Sequence, residues 1–328
     1  MIKNSKPIST KPKTKSSRFS SMSPYLYILP ALLLVLCFKF IPILMSFVIS
    51  FFDWSMTGMG NFIGFENYSR LLQDAEFWKS LLNTFYLVIF VVPLTIISSL
   101  VFAVFLNQIK YLKSFFRTIY FVPFVTSLVA LSIVWKIIFN QQYGLANSFL
   151  GFFGIEPLRW LGESKGIFVL LFESIGVNIP AYLGGPSLAL FAIIFVTVWR
   201  GIGYNTVIYL AGLQNISHSY YEAAEIDGAS KIKQFFKITI PLITPTTYYV
   251  LMMTTITTFQ VFSQVYMMTG PPIGGPQGTT KVIVYYIFEA GFGEAQNLAY
   301  ASAAALVLFI IILGLTMLQK YMEKTVHY

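Results

Sequence analysis

Long apolar runs, separated by polar, glycine-bearing or proline-bearing stretches, dominate the pattern of this 328-residue chain. A helix that crosses a bilayer needs about 20 apolar residues, and each of them adds about 1.5 Å to its length. Runs of that length are found at 25–52, 81–106, 119–139, 188–213, 242–268 and 298–319. The pattern therefore predicts an all-α, polytopic membrane protein with about six transmembrane helices.

Two segments require a choice between a spanning and a non-spanning helix. The basic tail before the first run is typical of a signal peptide, but the run is long and no small-residue cleavage site follows it. We therefore expect this run to stay as the first spanning helix. The segment from Ile167 to Leu183 holds one short apolar string before Glu173, Asn178 and Pro180 interrupt it. We expect it to be a short interfacial or surface-packed segment.

The basic residues indicate the orientation of the six predicted helices. Most of them fall in the N-terminal tail, in the loop around Lys113, between Lys231 and Lys237, and near the C-terminus. With six spans these segments share one side, and cytoplasmic loops carry the excess of lysine and arginine. Both termini are therefore expected in the cytoplasm. The expected organisation is a cytoplasmic basic tail (1–23), a transmembrane domain (24–320) and a cytoplasmic tail (321–328).

The composition excludes several classes of protein. Hydrophobic residues make up 56% of the chain and charged residues only 11%, whereas a soluble domain carries about 25% charged residues. One cysteine, Cys37, and two histidines, His218 and His327, are too few for a disulfide framework or a histidine-based metal site. The net charge of +9 is explained by orientation and by attraction to anionic lipid, not by nucleic acid.

Nucleotide-binding motifs are missing from the sequence. It contains no GxxxxGK[ST] loop and no GxGxxG turn after a strand, and no loop is long enough for a soluble catalytic domain. We therefore expect no catalytic residue, no metal site and no bound cofactor in this chain. If the protein does energy-coupled work, another chain must bind the nucleotide.

The most informative segment is the predicted cytoplasmic loop 217–240. Ser217 or Ser219 can cap a helix whose first turn carries Glu222, because a carboxylate is stabilised near the positive end of the helix dipole. Gly228 permits the left-handed turn that ends a helix, and a second amphipathic stretch begins two residues later. The pattern predicts a helix-turn-helix on the cytoplasmic surface, with small residues that let another protein approach its backbone.

This segment resembles the EAA signature of the inner-membrane subunits of ATP-binding-cassette importers. The signature reads roughly E-A-A, two residues, D-G-A, and then F, I and P at fixed offsets. The matching residues are Glu222, Ala223, Ala224, Asp227, Gly228, Ala229, Phe235, Ile238, Pro241 and Pro245. The resemblance implies a coupling helix that docks on the ATPase subunit. The implied ATPase-coupling residues are Tyr221, Glu222, Ala223, Ala224, Asp227, Gly228 and Ala229.

Further stretches resemble the carbohydrate-uptake permeases related to the maltose system. They are Tyr27–Leu32, Pro42, Ser50–Trp54, Trp199–Asn205, Tyr209–Leu213 and Tyr300–Ala303. The resemblance implies one transmembrane subunit of an ATP-driven, binding-protein-dependent importer of a sugar or sugar-like solute in the plasma membrane. The implied partners are a second permease subunit, two ATPase subunits that use ATP and Mg²⁺, an extracytoplasmic solute-binding protein and membrane lipid.

Polar side chains inside the predicted spans are candidates for solute contact, because a polar group at membrane depth is costly unless it faces protein or water. Arg200 and Tyr204 share one helical face, and Thr257, Gln260 and Gln264 share a face of the fifth span. Sugar hydroxyls need donors and acceptors, and sugar rings pack on aromatic faces. The predicted substrate pathway comprises Arg200, Tyr204, Asn205, Thr257, Gln260 and Gln264. The alternative is that these groups only join helices by hydrogen bonds.

Two lysines also lie inside predicted spans. Lys136 is near the outer end of its span, where its long side chain can reach the polar interface. Lys39 is nearer the middle of the first span and close to Pro42. A role for Lys39 at a subunit interface is therefore open.

Two other functional classes fit the sequence less well. An ion-coupled secondary carrier or channel is the first alternative, but inverted repeats with matched broken helices are missing and no acidic residue lies within the spans. An intramembrane enzyme is the second, but paired carboxylates, HExxH and a serine–histidine pair are missing at membrane depth. The sequence does not identify the solute.

Overall fold

The computed structural model describes residues 18–55, 58–109, 111–270, 273–294 and 296–326. Residues 1–17 of the predicted basic tail lie outside these ranges. Most of the described residues are helical, which confirms the predicted all-α class. The sequence did not predict a short antiparallel hairpin of β1 (Phe52–Ser55) and β2 (Gly58–Phe62), in which Phe52 pairs with Phe62.

The α-helices are numbered in chain order. They are α1 (Arg18–Val35), α2 (Ile41–Ile49), α3 (Glu66–Gln73), α4 (Ala75–Gln108), α5 (Lys113–Val125), α6 (Leu128–Ile138), α7 (Leu145–Gly151), α8 (Ile167–Ser174), α9 (Leu188–Gln214), α10 (His218–Ile226), α11 (Lys231–Gln234), α12 (Ile240–Phe259), α13 (Ser263–Met268), α14 (Ile283–Phe292) and α15 (Leu298–Val326). A π-helical turn, Leu36–Phe40, joins α1 to α2, and another, Phe235–Thr239, joins α11 to α12. Short 3₁₀ turns lie at Ala181–Leu183 and Pro276–Gly278.

Among the described residues, four helical stretches are long and apolar enough to cross a membrane. They are Tyr27–Ile49, Ala75–Gln108, Leu188–Gln214 and Leu298–Lys324. A fifth crossing forms if α5 and α6, which meet at an angle of 95°, act together as one broken span. The predicted span 242–268 is divided between α12 and α13, and neither meets the same criterion. The chain is a multi-pass membrane protein, and the predicted count of six spans is not confirmed.

Local backbone geometry explains the two broken spans. Thr126 follows α5 in an extended conformation (φ −64°, ψ 143°), which separates α5 from α6. Phe262 leaves the helical region (φ −138°, ψ −57°) before α13 begins. Apolar periodicity detects neither break, because apolar residues recur on both sides of each break and the few polar residues there do not exclude a continuous helix.

The helices α4 and α9 pack together at the centre of the bundle, with α5 and α12 beside them. Leu190 and Ile193 of α9 and Leu87 of α4 are completely buried. Gly203 lets α5 approach α9 closely, because a Cβ atom at this position would lie 1.8 Å from the carbonyl oxygen of Tyr120. This central unit positions the candidate site.

Two further elements differ little from the prediction. The helix α4 begins at Ala75 rather than at residue 81, because the Asp74 side chain caps it by accepting hydrogen bonds from the backbone N–H groups of Glu76 (2.8 Å) and Phe77 (3.4 Å). The segment 167–183 contains only the short helix α8 and a single 3₁₀ turn, as expected for a segment that does not span.

Candidate solute pathway and coupling surface

A cavity of about 240 Å³ lies inside the bundle between α4, α5, α9 and the broken α12–α13 helix. All but one of the predicted pathway residues line it, namely Arg200, Tyr204, Asn205, Thr257 and Gln264. Thr95 from α4 and Phe124 from α5 also line it, and the sequence did not point to either of them. Since several helices supply its walls, the cavity depends on the packing of the central unit.

Phe124 holds the two largest polar side chains of the cavity. The Arg200 guanidinium donates a hydrogen bond to the Phe124 carbonyl oxygen (3.3 Å), and its Cζ atom lies 5.1 Å from the centroid of the Phe124 ring. The Tyr204 ring stacks on the same ring, with 4.5 Å between centroids. The carbonyl is free to accept because α5 ends at Val125, and carbonyls in the last turn of a helix lack a helical partner. A helix end and an aromatic face therefore hold Arg200.

Several polar groups of the cavity are buried and incompletely bonded. The Nε atom of Arg200 and the Oγ1 atom of Thr95 have no hydrogen-bond partner among the described residues. Gln264 is 4% exposed and Asn205 is 5% exposed, and the Asn205 Nδ2 atom donates to the Gly201 carbonyl at 3.0 Å. Buried polar groups normally have a partner. The cavity therefore offers hydrogen-bonding capacity to a polar ligand.

Gln260 does not line this cavity. It is exposed and ends α12, where its backbone N–H bonds to the Thr257 carbonyl at 3.3 Å. The prediction placed Thr257, Gln260 and Gln264 on one face of a continuous helix, and this prediction is wrong because the helix breaks after Gln260. Gln264 reaches the cavity from α13 instead.

A hydrogen-bond cluster joins α4, α14 and α15 at the end of the bundle opposite the loop 217–240. The Asp74 carboxylate accepts hydrogen bonds from the hydroxyls of Tyr286 and Tyr300, the latter at 3.0 Å. Burial alone would raise the pKa of Asp74. The bonds from Tyr286, Tyr300 and the backbone N–H groups of Glu76 and Phe77 outweigh burial and hold that pKa below its ordinary value.

Beside this cluster, Lys281 pairs with two carboxylates. Its Nζ atom lies 2.9 Å from Glu76 and also contacts Glu289. Burial opposes the charged form of Lys281, but the hydrogen bonds to Glu289 and Glu76 outweigh burial and raise its pKa. These contacts tie α14 to the first turn of α4. Within the described ranges, no group of three or more histidine, cysteine or acidic side chains is arranged to hold a metal ion.

The loop 217–240 forms the predicted helix-turn-helix. Gly228 takes a left-handed conformation (φ 72°), and the N–H of Ala229 bonds back to the Ala224 carbonyl at 2.8 Å. The Ser230 hydroxyl caps the next helix by accepting from the N–H of Lys233 at 3.4 Å. The predicted serine cap of α10 is not formed, because the hydroxyls of Ser217 and Ser219 bond to each other at 2.8 Å.

The surface of this loop combines charged and apolar groups. Of the predicted coupling residues, Glu222, Ala223, Asp227 and Gly228 are exposed, while Tyr221, Ala224 and Ala229 are half-buried. Ile226 is 87% exposed, and the sequence did not draw attention to it. An ion pair with Lys231 holds Glu225 in place, and its hydrogen bond and charge lower the pKa of Glu225. A groove of about 840 Å³ runs from this loop to the end of α4.

Comparison with known proteins shows where this architecture recurs. Residues 75–328 match the family model of the binding-protein-dependent transport system inner membrane component. The lactose transport system permease protein LacF of Rhizobium radiobacter is 34% identical over 97% of this chain and 99% of its own length. The trehalose/maltose transport system permease protein MalF of Thermococcus litoralis is 33% identical over 89% of this chain and 90% of its own length.

A solved structure has the same fold. The crystal structure of the bacterial alginate ABC transporter in complex with an alginate pentasaccharide-bound periplasmic protein contains a chain that superposes with a TM-score of 0.76 at 20% identity. The match covers 94% of this chain and 97% of that one. Since the family model covers most of the sequence and these relatives match nearly all of it, the chain is a permease component of an ABC transporter, not an enzyme, and belongs to the binding-protein-dependent transport system inner membrane component family.

Proposed function

We propose that this chain is one transmembrane subunit of an ATP-driven, binding-protein-dependent importer of a sugar or sugar-like solute. The cavity at the centre of the bundle carries the proposal. Arg200, Asn205 and Gln264 line it with hydrogen-bonding groups, and Tyr204 adds an aromatic ring. These are the groups that sugar hydroxyls and sugar rings require. The relatives named for lactose and for trehalose and maltose support the same class of solute.

The cavity forms half of the translocation pathway in this proposal. Its volume of about 240 Å³ is below the range of about 300–1,000 Å³ that is usual for a small-molecule site. A second, similar permease chain would complete the pathway by placing its own wall against α9 and α12. The incompletely bonded atoms of Arg200 and Thr95 are suited to a ligand that enters between the two chains.

The link to ATP is proposed to pass through the loop 217–240. The exposed Glu222 and Ala223, with Ile226 beside them, give α10 a docking face of mixed chemistry for an ATPase subunit. The Tyr221 hydroxyl bonds to Thr239 at 3.0 Å, directly before α12 begins. A movement of α10 would therefore be passed to α12, whose far end brings Thr257 to the cavity.

The complete transporter in this proposal contains two permease chains, two ATPase subunits that bind ATP and Mg²⁺, and an extracytoplasmic solute-binding protein. The basic residues of the loops support an orientation with both termini of this chain on the cytoplasmic side of the plasma membrane. The alginate transporter, which has the same fold and was crystallised with a periplasmic protein, supports delivery of solute from the opposite, extracytoplasmic side. Closure of the ATPase subunits on ATP would open the pathway toward the binding protein. Separation of the ATPase subunits would then open the pathway toward the cytoplasm.

Uptake by the assembled complex in proteoliposomes tests the proposal. The panel of solutes is labelled lactose, maltose and trehalose, each with its binding protein, and the matched variants are Gln264→Ala and Gln260→Ala. We expect ATP-dependent uptake by the wild-type complex and an apparent KM raised about two- to tenfold by Gln264→Ala, because one solute hydrogen bond is lost. Gln260→Ala should leave uptake unchanged. Equal kinetics for wild type and Gln264→Ala at equal complex levels would contradict the assignment of the cavity.

A further inference from the structure

The first transmembrane helix carries a charge at its centre. In the stretch Tyr27–Ile49, Lys39 lies twelve residues after the first residue and ten before the last. At about 1.5 Å per residue the two ends are about 18 Å and 15 Å away. A lysine side chain reaches the polar interface only from positions near a helix end, so Lys39 must be accommodated at mid-membrane depth.

This charge has no partner within the part of the chain that the structure describes. The Lys39 side chain is exposed and takes part in no hydrogen bond or ion pair there. No residue in the most apolar window of this helix is buried against the rest of the molecule. Its neighbours on the same face, Leu36 and Ile43, are apolar and exposed.

The backbone at this point is also unusual. Lys39 lies in the π-helical turn Leu36–Phe40, which precedes Pro42. A π-helical turn is rare, and it is frequently found at functional sites. Apart from this position, the first transmembrane helix could be surrounded by lipid alone. The turn and the charge together therefore mark Lys39 as a specific site on the helix.

Lipid acyl chains provide neither a hydrogen-bond acceptor nor a counter-charge for an ammonium group. Ionisable residues at this depth normally pair with another polar group. We propose that Lys39 anchors an interface with a second transmembrane chain whose facing helix carries an aspartate or glutamate at the same depth. This inference rests on the proposed two-chain permease and adds the position and the chemistry of one contact between the chains.

The partner is a different chain rather than a second copy of this one. None of the six apolar runs of the sequence contains an aspartate or glutamate. In the crossing helices the acidic residues lie near the ends, as Glu76 and Glu323 do. A second copy therefore has no carboxylate to place opposite Lys39 at mid-depth, so charge complementarity requires a heteromeric assembly.

Site-specific photocrosslinking in native membranes tests the geometry. A benzophenone amino acid at Ile43 lies one turn from Lys39 on the same face, and at Ile41 it lies nearly opposite. We expect Ile43 to crosslink to a distinct membrane protein, at a segment with an aspartate or glutamate within one helical turn. Ile41 should give that product several-fold less. A crosslink from Ile43 to a second copy of this chain, to lipid only, or to a helix without a carboxylate would overturn the proposal.

Charge variants test the chemistry. The readout is the amount of the crosslinked partner that co-purifies with the tagged full-length chain. Lys39→Met should reduce it about tenfold, because removing one member of a buried charge pair leaves the other unpaired, whereas Lys39→Arg and the control Ile41→Met should retain it. Lys39→Glu should abolish association, and the reciprocal acid-to-lysine change in the partner should restore it. Normal recovery with Lys39→Met, or no rescue by the reciprocal change, contradicts the pairing.

Failure of this inference is distinguishable from failure of the proposed function. If only the Lys39 contact is wrong, the wild-type complex still transports in the uptake assay and Lys39→Met assembles normally. If the proposed importer is wrong, the wild-type chain co-purifies with no ATPase and shows no ATP-dependent uptake, whatever residue stands at position 39.

Discussion

The first transmembrane helix and α9 are both apolar enough to cross a membrane, but the chain uses them differently. More than half (56%) of the most apolar window of α9 is buried inside the molecule, whereas none of the corresponding window in Tyr27–Ile49 is. The first helix is nevertheless the more apolar of the two. The helix that is less suited to lipid is therefore the one that the protein surrounds with its own side chains.

Hydropathy therefore locates a helix in the membrane but does not indicate whether lipid or protein covers it. Lipid tails cover leucine as well as protein does, so close packing, not water exclusion, distinguishes buried from exposed spans. In α9 the small residue Gly203 permits that packing, and the polar residue Arg200 requires it because its guanidinium bonds to the Phe124 carbonyl of α5. In the first helix, the charge of Lys39 and the π-helical turn around it are the features that lead us to propose a partner chain.

The largest effect on stability is expected where α9 meets α5. In Gly203→Ala the new Cβ would lie 1.8 Å from the Tyr120 backbone oxygen, so the two helices must separate. We expect a loss of more than about 3 kcal/mol and little folded protein in detergent. The control Gly314→Ala in α15 meets nothing within 4 Å and should be neutral or slightly stabilising. Thermal unfolding of the purified variants checks this, and a normal melting temperature for Gly203→Ala would show that the α5–α9 contact is not close.

A matched pair of leucines compares the two helices directly. Leu190 in α9 is completely buried, while Leu34 in the first helix is 61% exposed. Leu190→Ala should lower the free energy of unfolding by about 2–5 kcal/mol because it leaves a cavity, and Leu34→Ala should change it by less than about 0.5 kcal/mol. The measurement is denaturant unfolding of the isolated chain in one detergent. Equal losses of unfolding free energy in the two variants would show that the first helix is packed as tightly as α9.

A smaller, pH-dependent effect is expected at the end of α4, where Asp74 accepts hydrogen bonds from Tyr286 and Tyr300. Because its folded-state pKa lies below the ordinary 3.8, the ionised carboxylate stabilises the fold above that pH, and this contribution is lost as pH falls through the lower folded-state value. Asp74→Asn keeps the helix cap but removes the charge. The melting temperature of wild type should exceed that of Asp74→Asn by a few degrees at pH 7, and the gap should begin to narrow below about pH 4 and close as the pH falls through the lower folded-state pKa of Asp74. A gap independent of pH would mean that the charge contributes nothing.

The features that could be predicted from the sequence are those set by local chemistry. The left-handed turn at Gly228 and the cap at Ser230 follow from residues within a few positions of each other, so the helix-turn-helix was predicted correctly. The cavity residues Arg200 and Asn205 were found because a polar group inside an apolar run is conspicuous. The hairpin Phe52–Phe62 was missed because its strands are short and lack clear alternation.

Features that depend on contacts between distant segments could not be predicted. Thr95 and Phe124 are ordinary residues of apolar helices until α4 and α5 pack against α9. The prediction that Gln260 lines the pathway failed because the helix breaks directly after it, and the apolar residues that continue beyond the break give no sign of it. The exposure of Lys39 also required the packed structure, because sequence alone shows its depth but not what surrounds it.

A pair of glycine variants tests whether the loop 217–240 links transport to a separate ATPase. Gly228 and Gly176 have similar left-handed conformations (φ 72° and 77°) and open space around them, so an aspartate costs about the same backbone energy at each. Only Gly228 lies on the proposed docking surface. ATP-driven uptake and ATPase co-purification are measured at equal membrane levels of the two variants. We expect Gly228→Asp to abolish both and Gly176→Asp to retain both. Normal uptake by Gly228→Asp would show that this loop does not couple transport to the ATPase.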